Sequence, residues 1–374
     1  NVLVYEPFFL DFGPLNLGHT YTYCKILSRK LTEPALSGKR IVHCCSTNPE
    51  RQAVAACLLC SFQVIVNGKT AEAAWEPFKH IEPPFMPFRD ASSLASSFDL
   101  TIQDCLKGLE KSIKIGWFDW KRFNLESYEF YSRVEHGDMN WVIPRKFLAF
   151  AGPSPKPFDA DGYPSYQPED YAPLFQKAGI TLVVRLNKKQ YDRLRFIDAG
   201  LKHVDLYFQD GSCPSMTIIS KFLHITESEP GAIAVHCKAG LGRTGTLIGL
   251  YAMKHAFFPA RAFIAWNRMC RPGSILGPQQ QFLVGMEHDM FQAGLALRGV
   301  PPPVPPADSQ QAMDGVPALL KQISKLSIQE HSKTEHFEDY RDQGQGERLC
   351  AAKRQATTHV PGLGHAVKPA AAKT

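Results

Sequence analysis

The stretch "AIAVHCKAGLGRTGTLIGLYAMKH", residues 232–255, decides how the rest of the chain is read. Small and branched apolar residues run up to His236 and Cys237 in the manner of a buried strand. A loop with Gly240 and Gly242 follows, and Arg243, Thr244 and Gly245 open an amphipathic helix. The glycines let the backbone N–H groups of Lys238, Ala239, Gly240, Leu241 and Gly242 turn inward around a tetrahedral oxyanion, and the helix N-terminus adds partial positive charge at the same point. A cysteine at that point is favoured as its nucleophilic thiolate. Arg243 supplies a planar, permanently charged fork for two phosphate oxygens. Thr244 is placed for its hydroxyl to stabilise the thiolate as it departs from a phosphocysteine. A plain glycine-rich turn needs none of these coincidences, and the G-x-x-x-x-G-K-[ST] pattern of a nucleotide loop is missing.

Phosphoester cleavage of this kind also needs a general acid, because an alkoxide is a poor leaving group at neutral pH. "HVDLYFQDGSCPSMTIISKFL" offers Asp210 in a Gly/Ser/Pro loop before a helix, where it could later act as base on water. Asp205 competes but lies inside the strand pattern. In "RPGSILGPQQQF", Gln279, Gln280 and Gln281 stand at a helix start, where an amide could position that water or simply begin the helix.

At 374 residues and 44% hydrophobic, the chain can bury a sizeable core in about two domains. The net charge of +6 is spread along the sequence and gives little support to nucleic-acid binding. Ten cysteines without short regular pairing read as reduced thiols rather than a disulfide scaffold. Cys57 and Cys60, a lone C-x2-C in an apolar helical stretch, read as core rather than zinc ligands, so neither metal nor other cofactor is expected. The longest apolar run, "AVAACLLCSFQVIV", is too short to span a bilayer, and the chain reads as soluble with no membrane partner. Beginning at Asn1, it reads as a fragment or processed form.

The fold class read from this patterning is α/β. Residues 1–122 alternate β-like runs such as "KRIVHCC" with helical ones such as "YTYCKILSRKL" and "TIQDCLKGLEKSIK". Residues 123–139 read as a charged, aromatic-rich linker helix. Residues 140–299 resume the alternation, with "TLVVRLN", "HVDLYF" and "AIAVHC" as strands and "NWVIPRKFLAFAG" leading in. Residues 300–374, rich in Pro, Gln, Lys and Ala, read as a disordered tail. Within it "LLKQISKLSI" spaces Leu320, Ile323, Leu326 and Ile328 like a nuclear export signal.

A second Cys-x5-Arg spacing occurs in "IVHCCSTNPER", from Cys45 to Arg51. It lacks the glycines, Pro49 removes a donor, and Glu50 sets a negative charge where a dianion would bind. Asp11, in "DFGPLNL", echoes Asp210. The stretch reads as the relic of a duplicated catalytic fold.

"VHCKAGLGRTGTLI", "FQDGSCPS", "RPGSILGPQQQFL", "VRLNKKQYD", "DFGPLNL" and "PFRDAS" together resemble the cell-division-cycle-fourteen (mitotic-exit) family of dual-specificity protein phosphatases, over residues 1 to about 290. The resemblance implies two tandem phosphatase-like domains joined by a linker helix, with only the second catalytic. It implies Cys237 as nucleophile, Arg243 as phosphate ligand and Asp210 as acid, with Ala239 lining a pocket for a substrate proline. The implied partners are proteins phosphorylated by cyclin-dependent kinases, at phosphoserine followed by proline with a basic residue nearby. That basic residue would meet an acidic groove, here Glu129 and Asp138, with Glu126 and Glu135 beside them; Ser132 replaces one acidic residue of the family and weakens it. The resemblance also implies nuclear and cytoplasmic localisation, including nucleolus, centrosome or spindle, and allows a homodimer. An inositol-lipid phosphatase resembles "HCKAGKGRTG", with a second lysine where this chain has Leu241. A binding-only pseudophosphatase is opposed by intact Cys237, Arg243 and Asp210.

Overall fold

In the computed structural model of the chain, residues 3–93, 96–158, 162–300 and 344–358 are described. The first half is helical: α1 (Leu17–Thr32), α2 (Pro49–Ile65), α3 (Ala71–Trp75) and α4 (Ile102–Lys114). Helix α4 starts on a capping box in which Thr101 and Asp104 satisfy each other's backbone N–H groups. After α5 (Leu125–Ser132) the second half builds a sheet. Its strands are β1 (Met139–Ile143), β2 (Phe147–Phe150), β3 (Ile180–Arg185), β4 (Lys202–Asp205) and β5 (Ala232–His236), in the order β1-β2-β5-β3-β4. Only β1 is antiparallel. Helices α6 (Pro168–Lys177), α7 (Leu194–Ile197), α8 (Met216–Ser228), α9 (Gly242–Ala256), α10 (Ala260–Cys270) and α11 (Pro278–Leu297) surround it, and α12 (Gln345–Thr358) returns to it.

The central strands are apolar throughout because both faces are covered. In β5, Ile233 and Val235 join a core with α4, α9 and α10, whereas Ala232 and Ala234 join a smaller core with Tyr171, Phe175 and Phe196 from α6 and α7. The larger core runs unbroken into the first half through Cys57, Cys60, Leu106 and Leu109. There α4 meets α10 so closely that a Cβ on Gly108 would lie 2.6 Å from the Ala262 carbonyl oxygen. Arg261 and Asp104 pair at 2.8 Å across the same contact.

Three expectations change. "KRIVHCC" forms no strand: His43, Cys44 and Cys45 are exposed, and β-type residues with no neighbouring strand have no ladder to satisfy their backbone groups. All strands of the described residues lie in the second half. The linker helix is shorter than 123–139, since α5 stops at Ser132 and Arg133 is extended with ψ 146°. Within the region read as a disordered tail, residues 345–358 form α12, while the export-like "LLKQISKLSI" lies outside the described residues.

Candidate active site

Strand β5 delivers Cys237 to the carboxyl edge of the parallel strands, and α9 begins five residues later at Gly242. Four successive carbonyls of the connecting loop are each engaged from outside. His236 Nδ1 lies 2.9 Å from the Cys237 oxygen and must donate to it. The Gly152 N–H donates to the Lys238 oxygen at 2.9 Å. Arg271 donates through Nη2 to Ala239 at 2.9 Å and through Nε to Gly240 at 2.8 Å. In a trans peptide the N–H opposes the C=O, so these bonds direct the N–H groups of Lys238, Ala239, Gly240 and Leu241 to the other side, the inside of the loop. Gly240, at φ 66°, cannot be replaced: a Cβ there would lie 1.9 Å from the Phe150 oxygen.

Arg271 is fully buried and also donates to the Asp138 carbonyl and carboxylate and to Asn140 Oδ1. Burial would raise the Asp138 carboxyl, but the charges of Arg271 and Lys353 outweigh it and hold it below the usual carboxylate range. His236 continues a buried chain on the loop's other flank. Because its Nδ1 carries the proton, its Nε2 accepts from the Tyr191 hydroxyl at 2.7 Å, and His203 Nε2 then donates to that hydroxyl at 2.9 Å. Burial keeps His236 well below its ordinary pKa, lowers His203 to about 4 and raises Tyr191, so all three are neutral at pH 7.

Arg243 and Asp210 are brought together at 3.2 Å, one from the first turn of α9 and the other from the loop after β4. Arg243 Nη1 also donates to the Phe208 oxygen at 3.0 Å, tying that loop to the phosphate loop. Asp205, the rival acid, pairs instead with Arg185 at 2.6 Å at the end of β4. The Thr244 hydroxyl is buried without a partner among the described residues, on the first turn of α9. Leu241 is fully buried in an apolar cluster with Ala91, Ala239, Leu276 and Leu349.

Of the three glutamines only Gln279 reaches this edge. It donates to the Ser212 oxygen at 3.0 Å, and its Oε1 would lie 2.8 Å from a Cβ on Gly242. Gln280, expected as a water-positioning amide, is turned into the core, where it accepts from Arg268 at 2.5 Å. Gln281 donates to Ser97. The groove also differs from expectation. A cavity of about 310 Å³ beside the loop is lined by Asp138, Gly152, Asn187, Lys238, Glu347 and Lys353. Glu129 lies exposed on α5 and outside that lining. Ser132 is occupied locally, donating to the Tyr128 oxygen at 2.6 Å.

The relic stretch is no second site. Helix α2 begins at Pro49, so Arg51 lies in its first turn, and both Cys45 and Arg51 are exposed. Asp11 is buried and accepts from the N–H groups of Phe8 and Phe9 at 2.9 Å. Asp90 of "PFRDAS" accepts from the Gly277 N–H at 2.6 Å and braces the turn before α11. Arg271 and Tyr191 were missed as site residues although each lies in a quoted motif, because the partners that reveal their roles stand far along the chain.

A family model for the N-terminal half of dual specificity protein phosphatases matches residues 1–112, and one for a DSP-PTPase phosphatase of polymorphic toxin systems matches residues 163–256. The chain is 46% identical over 364 residues to the dual specificity protein phosphatase CDC14A of Mus musculus, covering 94% of this chain and 60% of that protein. It is 43% identical over 358 residues to CDC14B of Mus musculus, covering 94% and 74%. To the tyrosine-protein phosphatase CDC14 of Candida albicans it is 39% identical over 296 residues, covering 78% and 54%. The chain thus spans 60% of the length of the CDC14A relative.

Proposed function

Because the chain belongs to the CDC14 family of dual specificity protein phosphatases, we propose that it hydrolyses phosphoserine, phosphothreonine and phosphotyrosine in proteins through a phosphocysteine at Cys237. The observation that carries this reading is the set of four loop carbonyls held outward by His236, Gly152 and Arg271, which leaves an inward cradle of N–H donors at the start of α9.

The Cys237 thiolate attacks phosphorus, the P–O bond to the substrate oxygen breaks, and Asp210 gives its proton to that oxygen. Arg243 and the loop N–H groups take up the charge on the equatorial oxygens. A water then attacks the phosphocysteine, Asp210 accepts its proton, and the S–P bond breaks to return the thiolate, with Thr244 donating to the departing sulfur. Gln279, held on the Ser212 oxygen and close to Gly242, is the amide that we assign to orienting that water.

The apolar, buried setting of Leu241 favours a protein over an inositol-phosphate substrate, whose extra phosphates would need a cation there. A preference for proline after the phosphoserine fits the small, apolar Ala239 of the loop, and a preference for a basic residue nearby fits Asp138 in the adjoining cavity.

Initial rates on a phosphoserine-proline peptide test the assignment. Cys237→Ser should release no phosphate above background; wild-type turnover by that variant refutes the nucleophile. Asp210→Asn should lose about 10²–10⁴-fold on the serine ester and little on an aryl phosphate with a good leaving group. Equal losses on both remove Asp210 from the acid role.

A further inference from the structure

We infer that Asp90, in the half of the chain that holds no phosphate loop, is a positioning residue for hydrolysis of the phosphocysteine, acting through the turn that carries Gln279. The inference rests on the phosphatase reading and on the assignment of Gln279 to the hydrolytic water.

The turn over Ser274–Gly277 does not hold its shape unaided. Ile275 has φ 62°, a left-handed conformation that a β-branched side chain resists, and Gly277 follows at φ 53°. Gly277 is the N-cap of α11 and, having no side chain, leaves that helix without a local cap. An acceptor comes from 187 residues earlier: the Gly277 N–H donates to Asp90 Oδ2 at 2.6 Å, where a carboxylate also meets the positive end of the helix dipole. On the inner side Arg268 donates through Nε to the Ser274 oxygen at 3.0 Å and through Nη2 to the Ile275 oxygen at 2.8 Å. Arg268 is buried, and Asp90 is the largest charge that offsets the cost of that burial. Asp90 is buried as well, and its other oxygen accepts from the Ser92 hydroxyl at 3.0 Å.

This turn meets the phosphate loop and α9 at three points. Ile275 packs against the first turn of α9, where a Cβ on Gly245 would lie 2.7 Å from its Cγ1. Leu276 joins Ala239 and Leu241 in their apolar cluster, which Ala91, next to Asp90, enters from the first half. Gln279 accepts through Oε1 from the Leu276 N–H at 3.3 Å, and that oxygen would lie 2.8 Å from a Cβ on Gly242. A turn relaxed at Gly277 moves Leu276 and Gln279 together, so the amide shifts against the water. Cys237, Arg243 and Asp210 keep their places, held by β5, by α9 and by the pairing of Arg243 with Asp210. Loss of Asp90 therefore slows the second step and spares the first.

For two successive steps, kcat/KM reflects binding and phosphocysteine formation alone, whereas kcat also reflects hydrolysis. The test uses the full chain, as wild type, Asp90→Ala, Asp90→Asn, Gln279→Ala and the Asp90→Ala, Gln279→Ala double variant. Rapid-quench burst kinetics on nitrophenyl phosphate, whose good leaving group makes formation fast, give the two rates separately. Asp90→Ala should slow hydrolysis about tenfold, with formation and kcat/KM within about twofold of wild type. Asp90→Asn, which keeps a neutral oxygen for the Gly277 N–H and the same packing, should slow it about threefold. The double variant should be no slower than Gln279→Ala, because Asp90 acts through that amide. Hydrolysis unchanged in both Asp90 variants, formation and hydrolysis falling in parallel, or losses that multiply in the double variant each overturn the inference. Normal hydrolysis in Gln279→Ala instead defeats the assignment of Gln279 on which the inference stands, and no phosphate release from any form defeats the phosphatase reading.

Discussion

Replacing Tyr191 by Phe removes one oxygen from the middle of the buried His203–Tyr191–His236 chain and leaves the ring packed where it was. Tyr191 is 3% exposed and its ring lies against Phe196 and the Arg185 guanidinium. The variant strands two groups. His236 Nε2 loses its donor and His203 Nε2–H loses its acceptor, and His203 Nδ1 is already buried without a partner among the described residues. Each buried group left unmatched costs about 1–3 kcal/mol, so the variant should be destabilised by about 4 kcal/mol. For a domain the size of the second half, a kilocalorie moves Tm by about 2–4 °C, so Tm at pH 7 should fall by roughly 8–16 °C. Near-ultraviolet circular dichroism on a thermal ramp measures it directly. The Cys237 carbonyl still requires the proton on His236 Nδ1, but the ring loses the bond that fixes its other nitrogen, and kcat should fall by roughly 2–12-fold, the worth of one hydrogen bond. A Tm within about 2 °C of wild type would refute the donor and acceptor assignments along the whole chain.

The same chain predicts an acid limb of stability. Burial holds His203 near 4 against 6.5 in the open chain, so between those values the unfolded state binds the proton and the folded state does not. Stability is complete above pH 6.5 and falls as pH drops toward 4, by about 2 kcal/mol between pH 7 and pH 5 from this residue, with His236 adding in the same direction. Urea midpoints at pH 7 and 5 should show the loss, and His203→Asn, a donor that does not titrate, should reduce it; an unchanged slope counts against His203. Arg271→Lys keeps the charge but offers three donors where five acceptor contacts exist, to the oxygens of Ala239 and Gly240, to Asp138 twice and to Asn140. Two lost bonds to a charged donor cost about 3 kcal/mol or more, so Tm should drop by at least roughly 6 °C and activity with it. Full activity in that variant would show that the loop carbonyls need no fork to hold them.

What could be read from the chain was what is local. The run from Ala232 to His236, the glycine loop and the first turn of α9 form one continuous segment whose backbone needs are written in consecutive residues, and it folds as read. Asp210 was legible for the same reason, as a carboxylate in a turn just before α8. Errors arose where a residue's role depends on a partner far along the chain. "KRIVHCC" has strand composition but no strand beside it. Gln280 looks like Gln279 in sequence, yet the buried Arg268 turns it into the core. Glu129 has the right charge but is exposed on α5, outside the lining of the groove.

The sequence by itself determined which groups stand at the loop, the Cys237 thiol and the Arg243 guanidinium with the Asp210 carboxylate in the turn before α8, and that the first half lacks the glycines of such a loop. These follow from side-chain type and from backbone freedom, both properties of neighbouring residues. Only the tertiary structure decided what surrounds that chemistry. Arg271 binds the loop to Asp138 and Asn140 from 131 or more residues away, and Lys353 reaches Asp138 across 215. Contacts between such distant positions leave no periodicity or spacing to read, since packing alone brings them together, and α12 declares its place only once the surface that it covers exists.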